Sequence, residues 1–66
     1  MEITLNGTPR DVPDGLTAAA LIELLDMSGQ RLAMEVNGEI VPRSEHEQHT
    51  VKPGDRVEIV RAIGGG

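Results

Sequence analysis

The chain ends in Gly64-Gly65-Gly66, and these residue types at this position could carry chemistry. Glycines have no side chains to bury and lose the most backbone entropy on ordering, so we predict a flexible tail. A backbone without Cβ atoms fits a narrow channel in a partner enzyme and leaves the terminal carboxylate open to attack. A frayed terminus without a function has the same composition, so the glycines alone leave both interpretations open.

The terminal carboxylate of Gly66 would need activation before it could react. An α-carboxyl group has a pKa of roughly 3.3 to 3.7, so it is ionised at neutral pH and resists nucleophiles. A mixed anhydride with AMP supplies the good leaving group that such a reaction requires. Because no glycine-rich phosphate-binding loop connects a predicted strand to a helix in this sequence, ATP would have to be bound by a partner.

A second candidate for chemistry is the run Glu-His-Glu-Gln-His at residues 45–49. Its imidazoles, His46 and His49, stand three residues apart, and imidazole is the commonest metal ligand in proteins. The spacing differs from the i, i+4 pair of a zinc-protease helix, and the sequence has no third His. We therefore interpret the run as a solvated polar loop. Neither Ser28 nor Ser44 has the Gly-x-Ser-x-Gly context of a catalytic serine.

The composition narrows the function classes further. The 66 residues include 11 acidic and 6 basic side chains, giving a net charge of -5, and no Cys, Phe, Trp or Tyr. A nucleic-acid binder needs a basic surface, and single-strand binders use aromatic stacking, so we exclude this class. No apolar run approaches the roughly 18 to 20 residues of a membrane span. Because the lack of Cys gives no sign of an oxidising compartment, we predict a cytoplasmic location.

The length argues against an independent enzyme. A domain of fewer than about 70 residues seldom gains more than about 3 to 5 kcal/mol from a single core. The core must here be built from Ile, Leu, Val, Met and Ala alone, which leaves little material for a buried active site with supporting residues. We therefore predict a binding or carrier protein with no catalytic residue, no metal site and no cofactor of its own.

The first third of the chain predicts a β-hairpin followed by a helix. Alternating polarity at residues 1–5 indicates a strand, and Asn6-Gly7 is a strong signal for a tight turn into a return strand at 8–12. Pro9 lacks a ladder N–H, which places the return strand at a sheet edge. A helix is predicted at residues 17–28, with Thr17 as the N-cap. It would end at Gly29, in the left-handed conformation.

The rest of the chain predicts further strands at residues 32–36, 39–41 and 56–61. A second Asn-Gly pair, Asn37-Gly38, joins the strands at 32–36 and 39–41. Residues 43–50 are predicted to form a loop or one short helical turn, and Pro53-Gly54 fits a type II turn. This order predicts an α+β fold, a mixed sheet of four to five strands with one helix packed across it. The predicted core residues are Leu21, Leu24, Leu25, Met27, Leu32, Met34, Val36, Val57 and Ile59. Ile40 and Val60 are candidates for an exposed apolar patch beside the tail.

The element order and the terminal glycines together resemble the ubiquitin-like β-grasp proteins. More closely, the chain resembles the ThiS family of sulfur carriers in thiamine biosynthesis, over essentially all 66 residues. The resemblance rests on residues 3–7, 36–43, 51–57 and 62–66. The run Asn-Gly-Glu-Ile-Val-Pro-Arg within residues 36–43 and the short length favour the thiamine branch. On this basis residues 1–63 form the β-grasp domain and residues 64–66 the tail.

The resemblance implies a mechanism in which partners act on the tail. An E1-like enzyme would use ATP and magnesium to adenylate the Gly66 carboxylate, and a sulfur donor system would convert it to a thiocarboxylate for thiazole synthase. Gly65 and Gly64 would give reach into the partner, with Gly64 a candidate spacer because the family ends in Gly-Gly. Partner contacts are expected at Val60, Ala62 and Ile63. A chain without Cys cannot carry sulfur as a persulfide, which agrees with this route.

Alternatives to the thiamine pathway remain at this point. Carriers for molybdopterin or cysteine synthesis use the same tail chemistry but tend to be longer and to contain aromatic residues. A ubiquitin-like modifier would be joined through Gly66 to a lysine by an isopeptide bond. A plain interaction domain would leave its tail unmodified. The adduct formed at Gly66 separates these classes.

Overall fold

A computed structural model describes residues 1–61 of the chain. The elements in chain order are β1 (Glu2–Leu5), β2 (Thr8–Asp11), α1 (Ala18–Leu24), β3 (Leu32–Val36), β4 (Glu39–Val41), a 3-10 turn (Arg43–Glu45) and β5 (Arg56–Arg61). The strands form one sheet in the order β2-β1-β5-β3-β4, with β1 and β5 parallel and the other neighbours antiparallel. The α+β prediction is confirmed, with five strands. Within residues 1–61, no helix is long and apolar enough to cross a membrane.

Two Asn-Gly turns form the hairpins as predicted. Asn6 and Gly7 have φ values of 49° and 83°, and Asn37 and Gly38 have 53° and 86°. Positive φ at both central positions defines the tight turn whose twist matches that of the flanking strands. The strand with Pro9 lies at the sheet edge, because its missing N–H would break a ladder on a central strand.

The helix begins as predicted and ends earlier than predicted. The Thr17 hydroxyl accepts a hydrogen bond from the Ala20 amide at 3.1 Å, which caps the first turn. At the other end Asp26 takes the left-handed conformation with a φ of 58°. Its amide donates to Glu23 and the next amide, of Met27, donates to Ile22. This bond pair ends the helix at Leu24, so the prediction of a helix reaching Ser28 and ending at Gly29 is wrong.

The helix buries a different stripe from the predicted one. Leu21 and Ile22 are buried, Leu25 is half-buried, and Leu24 is 48% exposed, so the placement of Leu24 in the core is wrong. Ala18 extends the stripe to the i, i+3, i+4, i+7 pattern that faces a sheet. The predicted strand residues Met34, Val36, Val57 and Ile59 do lie in the core. The whole buried core comprises Ile3, Val12, Ala18, Leu21, Ile22, Met34, Val36, Val41, Val51, Val57 and Ile59.

Candidate functional site

The strand β5 brings the chain to its predicted reactive end. It lies at the centre of the sheet, between β1 and β3, and buries Val57 and Ile59 beneath the helix. Residues 62–66 follow Arg61 directly in the sequence. The predicted site residues Ala62, Ile63, Gly64, Gly65 and Gly66, together with the boundary between 1–63 and 64–66, lie outside the described residues. The described part of the candidate site is β5, the strand that precedes these residues.

Side chains from both Asn-Gly turns hold β5. The Asn6 amide group accepts from the Ile59 N–H at 2.8 Å and donates to the Ile59 carbonyl at 3.1 Å. At the start of the strand, the Asn37 Oδ1 accepts from the Arg56 N–H at 2.9 Å, and its Nδ2 donates to Asp55 at 3.0 Å. Both residues are predicted as turn formers, but no pattern in the sequence predicts these bonds, because the partners lie up to 53 positions away.

An apolar patch lies on the face of the sheet opposite the helix. Its members are Ala33, Ile40 and Val60, and we call it the open-face patch. Val60 pairs with Ala33 across β5 and β3, and Ile40 pairs with Glu35 across β4 and β3. Ile40 is 73% exposed and Val60 59% exposed. The predicted exposure of these two side chains is confirmed. The contact of Val60 with a partner stays a prediction.

Acidic side chains border the open-face patch. Glu35 pairs with Glu58 across β3 and β5, and alternation along the strands puts both on the face that carries Val60. Like charges opposite each other are destabilising in a sheet. Glu35 lies directly beside Ile40, and Arg56 is on the same face two residues before Glu58, so the open face combines apolar side chains with charges of both signs.

His46 is a structural residue. Its side chain is only 8% exposed, and its Nε2 lies 3.0 Å from the Val41 carbonyl oxygen. Because a carbonyl can only accept, Nε2 must carry the proton. The backbone carbonyls of His46 and His49 accept from Ala19 and Ala18 at 2.8 Å, which satisfies two amides of the first helical turn. The prediction that the whole run is a solvated loop is therefore wrong at His46. Residues 1–61 contain no group of three His, Cys, Asp or Glu side chains placed to hold a metal ion.

Comparison with known proteins identifies the family. The model of the ThiS family matches residues 3–66. The chain belongs to the ThiS family. The sulfur carrier protein ThiS of Escherichia coli is 35% identical over 66 residues, which cover all of both chains. The crystal structure of the thiamine biosynthesis protein ThiS from Geobacter metallireducens covers all of both chains with a TM-score of 0.87 and 35% identity. The predicted β-grasp fold is thereby confirmed.

A further relative is much longer than this ThiS family member. A protein named thiazole synthase, from Paramagnetospirillum magneticum, is 41% identical over 66 residues. The match covers all of this chain and 20% of that protein. The family resemblance drawn from the sequence is confirmed by the family model and by these relatives, and it assigns the chain to small sulfur carriers of thiamine biosynthesis.

Proposed function

We propose that this chain carries sulfur as a thiocarboxylate at Gly66 for thiazole formation. The membership of the ThiS family over residues 3–66 is the observation that carries the proposal. In the first step an oxygen of the Gly66 carboxylate attacks the α-phosphorus of ATP, forming an acyl adenylate and releasing pyrophosphate. Hydrosulfide from the sulfur donor system then attacks the carbonyl carbon, AMP leaves with the C–O bond electrons, and loss of the S–H proton gives the thiocarboxylate without a change of oxidation state. No side chain of residues 1–61 is needed for either step.

The chemistry is divided between this chain and its partners. An E1-like enzyme holds ATP and magnesium, and a sulfur donor system supplies the sulfur atom. Gly65 and Gly64 provide reach and clearance, because a backbone without side chains passes through a narrow channel. The chain itself acts as a co-substrate and performs no catalysis. Since the activation consumes ATP, we place the reaction in the cytoplasm.

The open-face patch is the proposed docking surface for the activating partner. Val60 is its member nearest to the tail in sequence, and we propose that Ala62 and Ile63 extend the contact. The net charge of -5 favours a basic surface on the partner and an association rate that falls with added salt. An association rate that is insensitive to ionic strength would argue against this docking mode.

Thiazole synthase is the proposed acceptor of the sulfur. The relative of that name in Paramagnetospirillum magneticum contains a region 41% identical to this whole chain within one longer polypeptide. Joining a carrier to its acceptor raises the effective concentration of one for the other, which gives such an arrangement a physical advantage. This supports an encounter between the separate carrier and a thiazole synthase.

Intact-mass measurement tests the proposal directly. The protein is incubated with the activating enzyme, ATP, magnesium and a sulfur donor, and we expect one oxygen to be replaced by sulfur at Gly66. A variant ending at Gly64 is the control, which should keep its unfolding midpoint and gain no sulfur. An unchanged mass without an AMP adduct, from an enzyme proven active on another carrier, would refute the proposal. A Gly66–lysine conjugate would instead identify a protein modifier.

A further inference from the structure

We propose that Asn6 is a positioning residue that fixes the end of β5 to which the tail is attached. This inference rests on the proposed function, because its consequence is measured on the activation of Gly66. Strands β1 and β5 pair in a parallel ladder. The Thr4 amide donates to the Asp55 carbonyl and the Asn6 amide donates to the Val57 carbonyl, both at 2.9 Å. The next group of β5 facing this edge belongs to Ile59.

The backbone of β1 does not reach Ile59. At Asn6 the chain turns away through the Asn-Gly turn, with φ of 49° at Asn6. The side-chain amide of Asn6 then bonds to both the N–H and the carbonyl of Ile59, at 2.8 and 3.1 Å. One side chain thus replaces the donor and the acceptor that a longer β1 would supply. The ladder is extended by one step although the strand has ended.

Few residue types can perform this task. The position requires a positive φ, a donor and an acceptor on a short side chain. Asp offers no donor when ionised, and Gly offers no side chain at all. Asn is among the non-glycine residues that adopt the left-handed conformation most readily. The chemistry of the site therefore specifies Asn more narrowly than the turn alone does.

The location of the bond gives it a functional consequence. Ile59 directly precedes Val60 of the open-face patch and lies two positions before Arg61, the last described residue. Without the Asn6 bonds, the end of β5 would keep the burial of the Ile59 side chain, and beyond Ile59 its described backbone would pair with β3 alone, Val60 with Ala33 and Arg61 with Leu32. A looser strand end would have to be ordered together with the tail when the activating enzyme binds, and ordering each further residue costs about 1 to 2 kcal/mol of conformational entropy.

Asn37 provides a matched control. It also begins an Asn-Gly turn, has a φ of 53°, and bonds to β5 through its side chain. Its bond lies at Arg56, at the opposite end of the strand from the tail. Asn6→Gly and Asn37→Gly keep both turns, because glycine tolerates a positive φ, and each removes one side-chain amide. Asn6→Asp is a third variant that retains the acceptor for the Ile59 N–H and loses the donor.

Two measurements test the inference on these variants. The first is backbone hydrogen exchange at Ile59 and Val60, which we expect to accelerate about fivefold or more in Asn6→Gly and not in Asn37→Gly. The second is kcat/KM for adenylation of the carrier by the activating enzyme. We expect a fall of about tenfold in Asn6→Gly and no fall in Asn37→Gly, because only the first change loosens the end of β5 that leads to the tail. Asn6→Asp should fall between the wild type and Asn6→Gly in both measurements.

The outcomes separate this inference from the proposed function. Equal exchange at Ile59 and Val60 in the two glycine variants, or equal adenylation of Asn6→Gly and Asn37→Gly by an enzyme that activates the wild type, would overturn the role of Asn6. Failure of the wild type to be adenylated would refute the proposed function. In that case the exchange data alone still decide whether Asn6 fixes the end of β5.

Discussion

The two faces of the sheet differ in burial: one packs against the helix, and the other is exposed. On one face, helix α1 covers Met34, Val57 and Ile59, and these side chains are almost fully buried. On the other face, β5 exposes Val60 and β4 exposes Ile40. Successive side chains of β5 therefore lie on different faces, one packed under the helix and the next exposed, because strand side chains alternate between faces. The covered face stabilises the fold, and the open face is available to a partner.

The largest effect predicted from this contrast is on stability, at Ile59. Ile59→Ala should lower the free energy of unfolding by about 2 to 5 kcal/mol, because it leaves a cavity beneath the helix. The neighbouring change Val60→Ala should cost less than about 1 kcal/mol, since it alters mainly strand propensity. Urea unfolding of both variants measures the difference. Equal losses at the two positions would contradict the assignment of the faces.

The next effect, of intermediate size, is on partner binding at the open face. Val60→Thr keeps the branched shape suited to a strand and removes apolar surface, so we expect affinity for the activating enzyme to fall by about fivefold, or about 1 kcal/mol. The free energy of unfolding should change by less than about 0.5 kcal/mol. Calorimetric titration measures the affinity.

Leu24 supplies the control for the binding prediction. It is also an exposed apolar residue, but it lies on the helix and away from the open face. Leu24→Gln preserves helix propensity and should leave the affinity unchanged. A loss of affinity in Leu24→Gln equal to that of Val60→Thr would show that the open-face patch has no special role.

Local signals predicted most of the sheet. The alternation in β1 and β5 and the two Asn-Gly pairs act over a few residues, so the strands and their order along the chain could be predicted, whereas their order in the sheet was not predicted from these signals. The end of the helix could not be predicted in this way, because the left-handed residue that ends it is Asp26 and not the expected Gly29. The phase of the helix then placed Ile22, and not Leu24, against the sheet.

The candidate site was less predictable for a physical reason. The burial of His46 depends on the Val41 carbonyl and on the amide of Ala19 in the helix. The bond between Asn6 and Ile59 spans 53 positions. The contact of His46 with the helix and that of Asn6 with β5 form only when these distant segments come together, so no local pattern predicts them. The sequence pattern could name Asn6 as a turn residue and could not show which strand its side chain holds.

The smallest predicted effect concerns a charged group at the sheet edge, away from both faces. The Met1 ammonium donates to the Val12 carbonyl at 2.6 Å and pairs with Asp14 at 3.0 Å and Asp11 at 3.4 Å. The hydrogen bond with the Asp14 carboxylate raises the pKa of the Met1 ammonium above its usual value, partial desolvation opposes this, and the charges of Asp14 and Asp11 add to the increase.

This raised pKa predicts the direction of a pH effect on stability. A group whose pKa is higher in the folded state stabilises the fold fully below its unfolded pKa, about 8 for an α-amine, and this stabilisation is lost as the pH rises through the folded value. Asp14→Asn should therefore be less stable than the wild type near neutral pH, and the difference should shrink in alkaline solution. Urea unfolding at neutral and at alkaline pH measures this difference in the free energy of unfolding, with Glu23→Gln as an exposed control on the helix. A stability difference that grows with pH would exclude the ammonium as its source.

Added salt should also reduce the stability difference between Asp14→Asn and the wild type, because Asp14 is exposed. This salt dependence distinguishes the contact at the sheet edge from the apolar burial that stabilises the covered face.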